Sequence, residues 1–132
     1  MNIAACGGAL IGAGAAMAAG QEEALAAVPS GLQLSVADQF LEKQPDGTTW
    51  ARFRFVAPEI GDGVGVGRVG DDFLHLCDKY ALPRLENLGL DVSQVVISMS
   101  SKDVEFGATA PDIVQFFDAF SVETGRCIWE AF

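Results

Sequence analysis

The sequence predicts an α+β fold in which an antiparallel sheet of about five to six strands packs against one main helix. Three observations carry that prediction. Residues 32–56 alternate apolar and polar side chains on both sides of Pro45-Asp46-Gly47. Phe73, Leu76, Cys77 and Tyr80 recur at helical spacing. Beyond Val95 the chain breaks into short β-branched and aromatic runs separated by turn residues.

Leu32, Leu34 and Val36 alternate with Gln33, Ser35 and Ala37, the period of a strand with one buried face. Pro45-Asp46-Gly47 supplies the turn, because Pro fixes its own φ and Gly tolerates a positive one. The next run resumes the alternation, with Ala51, Phe53 and Phe55 on one side and Trp50, Arg52, Arg54 and Val56 on the other. The two runs read as a hairpin.

From Ala57-Pro58 to Gly70 the chain is Gly-rich and reads as a mobile loop. Asp71 or Asp72 then caps the helix, with His75, Asp78 and Lys79 opposite its apolar stripe. Pro83 ends or kinks it, and a further turn reaches Leu88 before Gly89. Val95, Val96 and Ile97 form a buried strand, Lys102-Asp103 a turn, and Val104 to Phe106 a short return strand. The stretch Pro111 to Phe120 fits two patterns. Ile113, Phe116, Phe117 and Phe120 have helical spacing, whereas Phe116, Phe120 and Val122 fit a strand. After a turn over Glu123 to Arg126, Cys127 to Phe132 reads as the last strand.

The chain has 132 residues, half of them hydrophobic, which suits one core. Residues 3–19 carry no charge and are dominated by Ala and Gly, and Ala16-Met17-Ala18 is a small-x-small cleavage pattern. The expected organisation is a signal peptide over residues 1–18 cleaved near Ala18, a linker over residues 19–30, and a single domain over residues 31–132, working in the periplasm or outside the cell. Two other patterns share the N-terminal stretch. Gly8-x-x-x-Gly12 matches the packing face of a membrane helix, although so short a stretch is weak for a span. Ile3 to Gly7 loosely resembles a lipoprotein box that would make Cys6 a lipid anchor, a reading that needs an apolar region ahead of Cys6, where the sequence shows five residues. No membrane span is expected in the mature chain.

Lys and Arg total 8 against 18 Asp and Glu, a net charge of −10. Proteins that bind nucleic acids or anionic membranes draw most of their affinity from cationic side chains, so neither is expected as a partner. The charge favours solubility.

Four motifs bear on chemistry. Gly65-Val66-Gly67-Arg68-Val69-Gly70 matches a dinucleotide fingerprint, but Asp62, Asp71 and Asp72 repel a pyrophosphate and no second βαβ half follows. No cofactor is therefore expected. His75 is the only histidine, and Asp71 precedes it by one helical turn, but a lone His without Cys or Glu at ligand spacing defines no metal site. No catalytic constellation is present. Trp50, Arg52 and Arg54 share one strand face and form the only cationic cluster, a candidate patch for an acidic protein or small anionic ligand. The competing expectation is cross-strand pairing with Asp38 or Glu42. Cys77 and Cys127 are the two cysteines of the mature part and are expected to form a disulfide in an oxidising compartment.

Arg54-Phe55-Val56-Ala57-Pro58, Asp72-Phe73-Leu74-His75-Leu76-Cys77, Tyr80-Ala81-Leu82-Pro83-Arg84, Val95 to Ser100 and Cys127-Ile128-Trp129-Glu130 resemble a family of short exported alphaproteobacterial proteins of unknown function. The resemblance spans about residues 29–132 and brings no catalytic residues. Some similar chains bear the name acetolactate synthase. A thiamine-dependent catalytic subunit needs several domains, and an export signal contradicts a cytoplasmic biosynthetic enzyme. The leading expectation is a non-enzymatic binding or accessory module. The alternative is a small hydrolase or metal-dependent enzyme using His75 and the acidic Gly-rich loop.

Overall fold

In the computed structural model, which describes Leu25 and residues 27–130, the two alternating runs form the antiparallel strands β1 (Ser35–Lys43) and β2 (Thr49–Val56). The signal peptide, its cleavage near Ala18 and Cys6 lie outside the described residues. A bulge between Val36 and Asp38 leaves Ala37 unopposed and reverses the parity of β1. Beyond it Asp38, Phe40 and Glu42 stand opposite Arg54, Arg52 and Trp50.

The chain then runs through a 3-10 turn (Pro58–Asp62), helix α1 (Val66–Leu76), a π-helical turn (Cys77–Ala81) and helix α2 (Leu82–Asn87). Strands β3 (Gln94–Ser100), β4 (Gln115–Glu123) and β5 (Arg126–Trp129) complete one sheet of order β1-β2-β3-β4-β5. The arrangement is α+β, with one helical layer on a mostly antiparallel sheet.

One pair departs from the antiparallel expectation: β3 runs parallel to β2. The helical segment returns the chain to the end of the sheet from which β2 began, so the next strand must enter in the same direction. Cross-strand partners Ala51 and Val95, Phe53 and Ile97, and Phe55 and Met99 form the floor of the core. Val69, Phe73, Leu76, Tyr80 and Leu85 cover it, and the Tyr80 ring meets Phe53 and Phe55 edge-on at 6.0 and 5.6 Å.

The helix begins earlier than expected. Gly65 is its N-cap, Gly67 and Gly70 lie inside α1, and neither Asp71 nor Asp72 caps it. Burial of Val69, Phe73 and Leu76 on one stripe outweighs the poor helix propensity of the glycines. Pro83 does not stop the helix either. It lacks the N–H an α-helix requires, and the wider π turn ahead of it, closed by Leu82 N–H to Cys77 O, accommodates its ring.

Val104 to Phe106 forms no strand. Residues 102–113 are a loop whose base is tied by Ser101 N–H to Val114 O at 2.9 Å and Val114 N–H to Ser101 Oγ at 3.1 Å. The strand pattern wins over residues 115–123, where Phe116, Phe120 and Val122 face the helical side. The stretch read as a linker brings Leu25 and Val28 into the core, and Ser30 bonds to Asp72.

Cys77 and Cys127 form a disulfide with their Cα atoms 6.2 Å apart, joining the π turn to β5. Beside it the Cys127 N–H, on the outer edge of β5, donates to Asp78 Oδ1 at 3.3 Å. The β4–β5 turn has positive φ at both central residues, Thr124 at 48° and Gly125 at 74°, as a type I′ hairpin requires.

Candidate functional site

The helices cover one face of the sheet. On the other face β2 contributes Trp50, Arg52 and Arg54, β3 contributes Val96, Ser98 and Ser100, and β4 contributes Gln115 and Phe117. The 102–113 loop folds over this second face. Between loop and strands lies a cleft of about 380 Å³ lined by Arg52, Arg54, Ser98, Ser100, Glu105, Phe106, Gln115 and Phe117, among others.

Phe106 organises the cleft. Its ring meets Phe40 edge-on at 5.1 Å and lies 5.0 Å from the Arg52 guanidinium and 5.6 Å from that of Arg54. The Trp50 ring stands 5.7 Å from the Arg52 guanidinium. Arg52 is therefore held between two aromatic rings, which restricts its rotamers without consuming its donors.

The two arginines differ in what they have left to offer. Arg54 is 9 % exposed, its Nη1 donates to both Asp38 carboxylate oxygens at 3.0 and 3.1 Å, and its Nη2 donates to Val104 O. It serves as a tie between β1, β2 and the loop. Arg52 donates Nε to Glu42 Oε1 at 2.7 Å, and its two Nη groups have no hydrogen-bond partner among the described residues. The bond from Arg52 holds the Glu42 carboxyl below its ordinary pKa of 4.5. Both cross-strand pairs anticipated from the sequence thus form, and the β1 bulge places Asp38 opposite Arg54.

The other candidates are scattered. His75 is half-buried on α1. Glu59 accepts a hydrogen bond from Gln33 N–H at 3.2 Å, Asp62 and Asp71 are exposed, and Asp72 is fully buried against Ser30. No group of three His, Cys, Asp or Glu side chains is arranged to hold a metal ion among the described residues. The Gly65, Gly67 and Gly70 fingerprint is a helix start, where an added Cβ would meet no atom within 4 Å, so no close backbone approach demands glycine there.

Glu105, Phe106, Ser98, Ser100, Gln115 and Phe117 were not singled out from the sequence. The alternation of Val104, Glu105 and Phe106 suggested a strand, and nothing local signals that Ser101 and Val114 close a loop. The exposure of the two aromatics shows only in the folded structure, where Phe106 is 44 % and Phe117 65 % exposed.

Among the described residues no helix is long and apolar enough to cross a membrane. No curated protein and no solved structure matches the chain. Over residues 9–132 the sequence matches the model of a family of unknown function, DUF6497, and the chain belongs to that family.

Proposed function

We propose that the chain is a non-enzymatic binding or accessory module, acting outside the cytoplasm, whose binding surface is the cleft beneath the 102–113 loop. One observation carries the reading: Arg52, held between Trp50 and Phe106, brings two uncommitted Nη groups to a concave, partly aromatic surface. The cleft volume falls within the roughly 300–1,000 Å³ range of small-molecule sites. Arg52 offers a fork for an anionic group, while Phe106, Phe117 and Val96 offer apolar contact. The Cys77–Cys127 disulfide supports export, since such bonds persist in oxidising compartments.

The test is an NMR screen of the full chain against anionic, cationic, zwitterionic and neutral fragments. Hits should shift the Trp50 indole and the Phe106 and Phe117 ring resonances in the wild type and lose affinity in Arg52→Gln. Fragments that bind only elsewhere, or a complete set that leaves these resonances unmoved, would overturn the reading. Export is tested by mass spectrometry of the native protein. A start near Ala19 supports it, and an intact Met1 in the cytoplasm defeats it.

A further inference from the structure

The cleft's charges narrow the class of ligand. The three charged side chains in its lining are Arg52, Arg54 and Glu105. Arg54 is buried and tied to Asp38 and the Val104 carbonyl, so its main contribution is structural. Arg52 keeps its positive fork. Glu105 is exposed, and its carboxylate makes no hydrogen bond or ion pair with any described residue. The cleft is therefore lined by one cationic side chain with Nη donors to spare and one acidic side chain that has no partner among the described residues.

A simple anion suits this arrangement poorly. Glu42 already pairs with Arg52 at 2.7 Å, Glu105 adds a negative charge without a described partner, and the whole chain carries −10. A simple cation satisfies Glu105 but meets the Arg52 guanidinium. A molecule bearing both charges fits both groups and suffers no net repulsion from the acidic protein. The rest of the lining adds to the definition. Phe106, Phe117 and Val96 provide an apolar wall, and Ser98, Ser100 and Gln115 supply short polar groups within a volume of about 380 Å³.

We infer that the cleft binds a small zwitterion, a free α-amino acid with an apolar or aromatic side chain. Its carboxylate lies on the Arg52 Nη groups and its ammonium on Glu105. This inference rests on the cleft being the binding surface and goes beyond it by fixing the ligand's charge pattern.

The experiment compares three probes of similar size on the full chain by calorimetry and by shifts of the Phe106 and Phe117 resonances. L-Phenylalanine carries both charges, 3-phenylpropionate only the carboxylate, and phenethylamine only the ammonium. L-Phenylalanine should bind tightest. Glu105→Gln, on an exposed loop position, should weaken L-phenylalanine roughly fivefold, as expected for one solvent-exposed charge pair, and leave or improve 3-phenylpropionate. Arg52→Gln should weaken both carboxylates, roughly tenfold or more. Equal or tighter binding of 3-phenylpropionate overturns the zwitterion and leaves the cleft as a binding surface. Binding of L-phenylalanine that is indifferent to Glu105→Gln, or absent, also overturns it. Only failure of every fragment class at the cleft overturns the binding surface as well.

Discussion

Ser30 and Asp72, 42 residues apart, are joined by two hydrogen bonds, from the Ser30 N–H at 2.9 Å and from the Ser30 hydroxyl, to separate oxygens of one carboxylate. Asp72 is 0 % exposed inside α1, so these bonds are what makes a buried carboxylate tolerable there. Arg68 strengthens the clasp by donating Nη2 to the Ser30 carbonyl at 3.2 Å. The segment ahead of β1 is thereby fastened to the helix, which explains how Leu25 and Val28 reach the core.

Ser30→Ala leaves one Asp72 oxygen buried without that donor and should cost about 1–3 kcal/mol in urea unfolding. Ser30→Thr, which keeps the hydroxyl, should cost less. An unchanged midpoint in the Ala variant would show that the hydroxyl contributes nothing.

The disulfide closes a separation of 50 residues, for which chain entropy gives about 4 kcal/mol of stabilisation. Cys77→Ala with Cys127→Ala should lower the thermal midpoint substantially. A thiol titration of the denatured, unreduced chain should find neither Cys77 nor Cys127 reactive. Two reactive thiols at these positions would refute the pairing in solution.

Arg52 and Arg54 should separate in their effects. Arg54→Gln removes a half-enclosed ion pair and the tie to Val104 O, and should cost about 2 kcal/mol while loosening the loop that carries Phe106. Arg52→Gln should leave stability closer to wild type and act on ligand affinity. Equal stability losses for the two variants would mean that Arg52 is as structural as its neighbour.

Glu42 provides a pH test. Its folded-state pKa is depressed, so its contribution to stability is present above the ordinary value of 4.5 and is lost as pH falls through the lower folded value. The difference in thermal midpoint between wild type and Glu42→Gln should therefore be constant from pH 7 down to about pH 5 and shrink below that. A difference that persists undiminished at pH 2 would assign it to packing.

Much of the fold was legible because its signals are local. The strict alternation from Trp50 to Val56 put Ala51, Phe53 and Phe55 in the core, and the spacing of Phe73, Leu76 and Tyr80 identified the covering helix. The cysteine pair followed from the even count left by the expected cleavage. What escaped was set by tertiary context. The Ala37 bulge has no sequence mark, the start of α1 is chosen by packing over glycines, and the direction of β3 depends on where the helix returns the chain. The candidate site was half visible for the same reason. Trp50, Arg52 and Arg54 share a strand face by period alone, whereas Glu105 and Phe106 reach it through a loop closure between Ser101 and Val114 that no periodicity encodes.

The short strand β5 lies at the rim of the sheet, where exposed backbone groups invite another chain to pair. The disulfide to the π turn sits at its Cys127, and the outward N–H of that residue is already taken by Asp78. A neighbouring molecule approaching along this rim meets a carboxylate where it needs an unoccupied amide, and a covalent anchor where it needs a strand able to shift. Asp78 therefore removes one of the amides that edge-to-edge pairing on this side would use, and a carboxylate there disfavours the approach of a second copy of so acidic a chain.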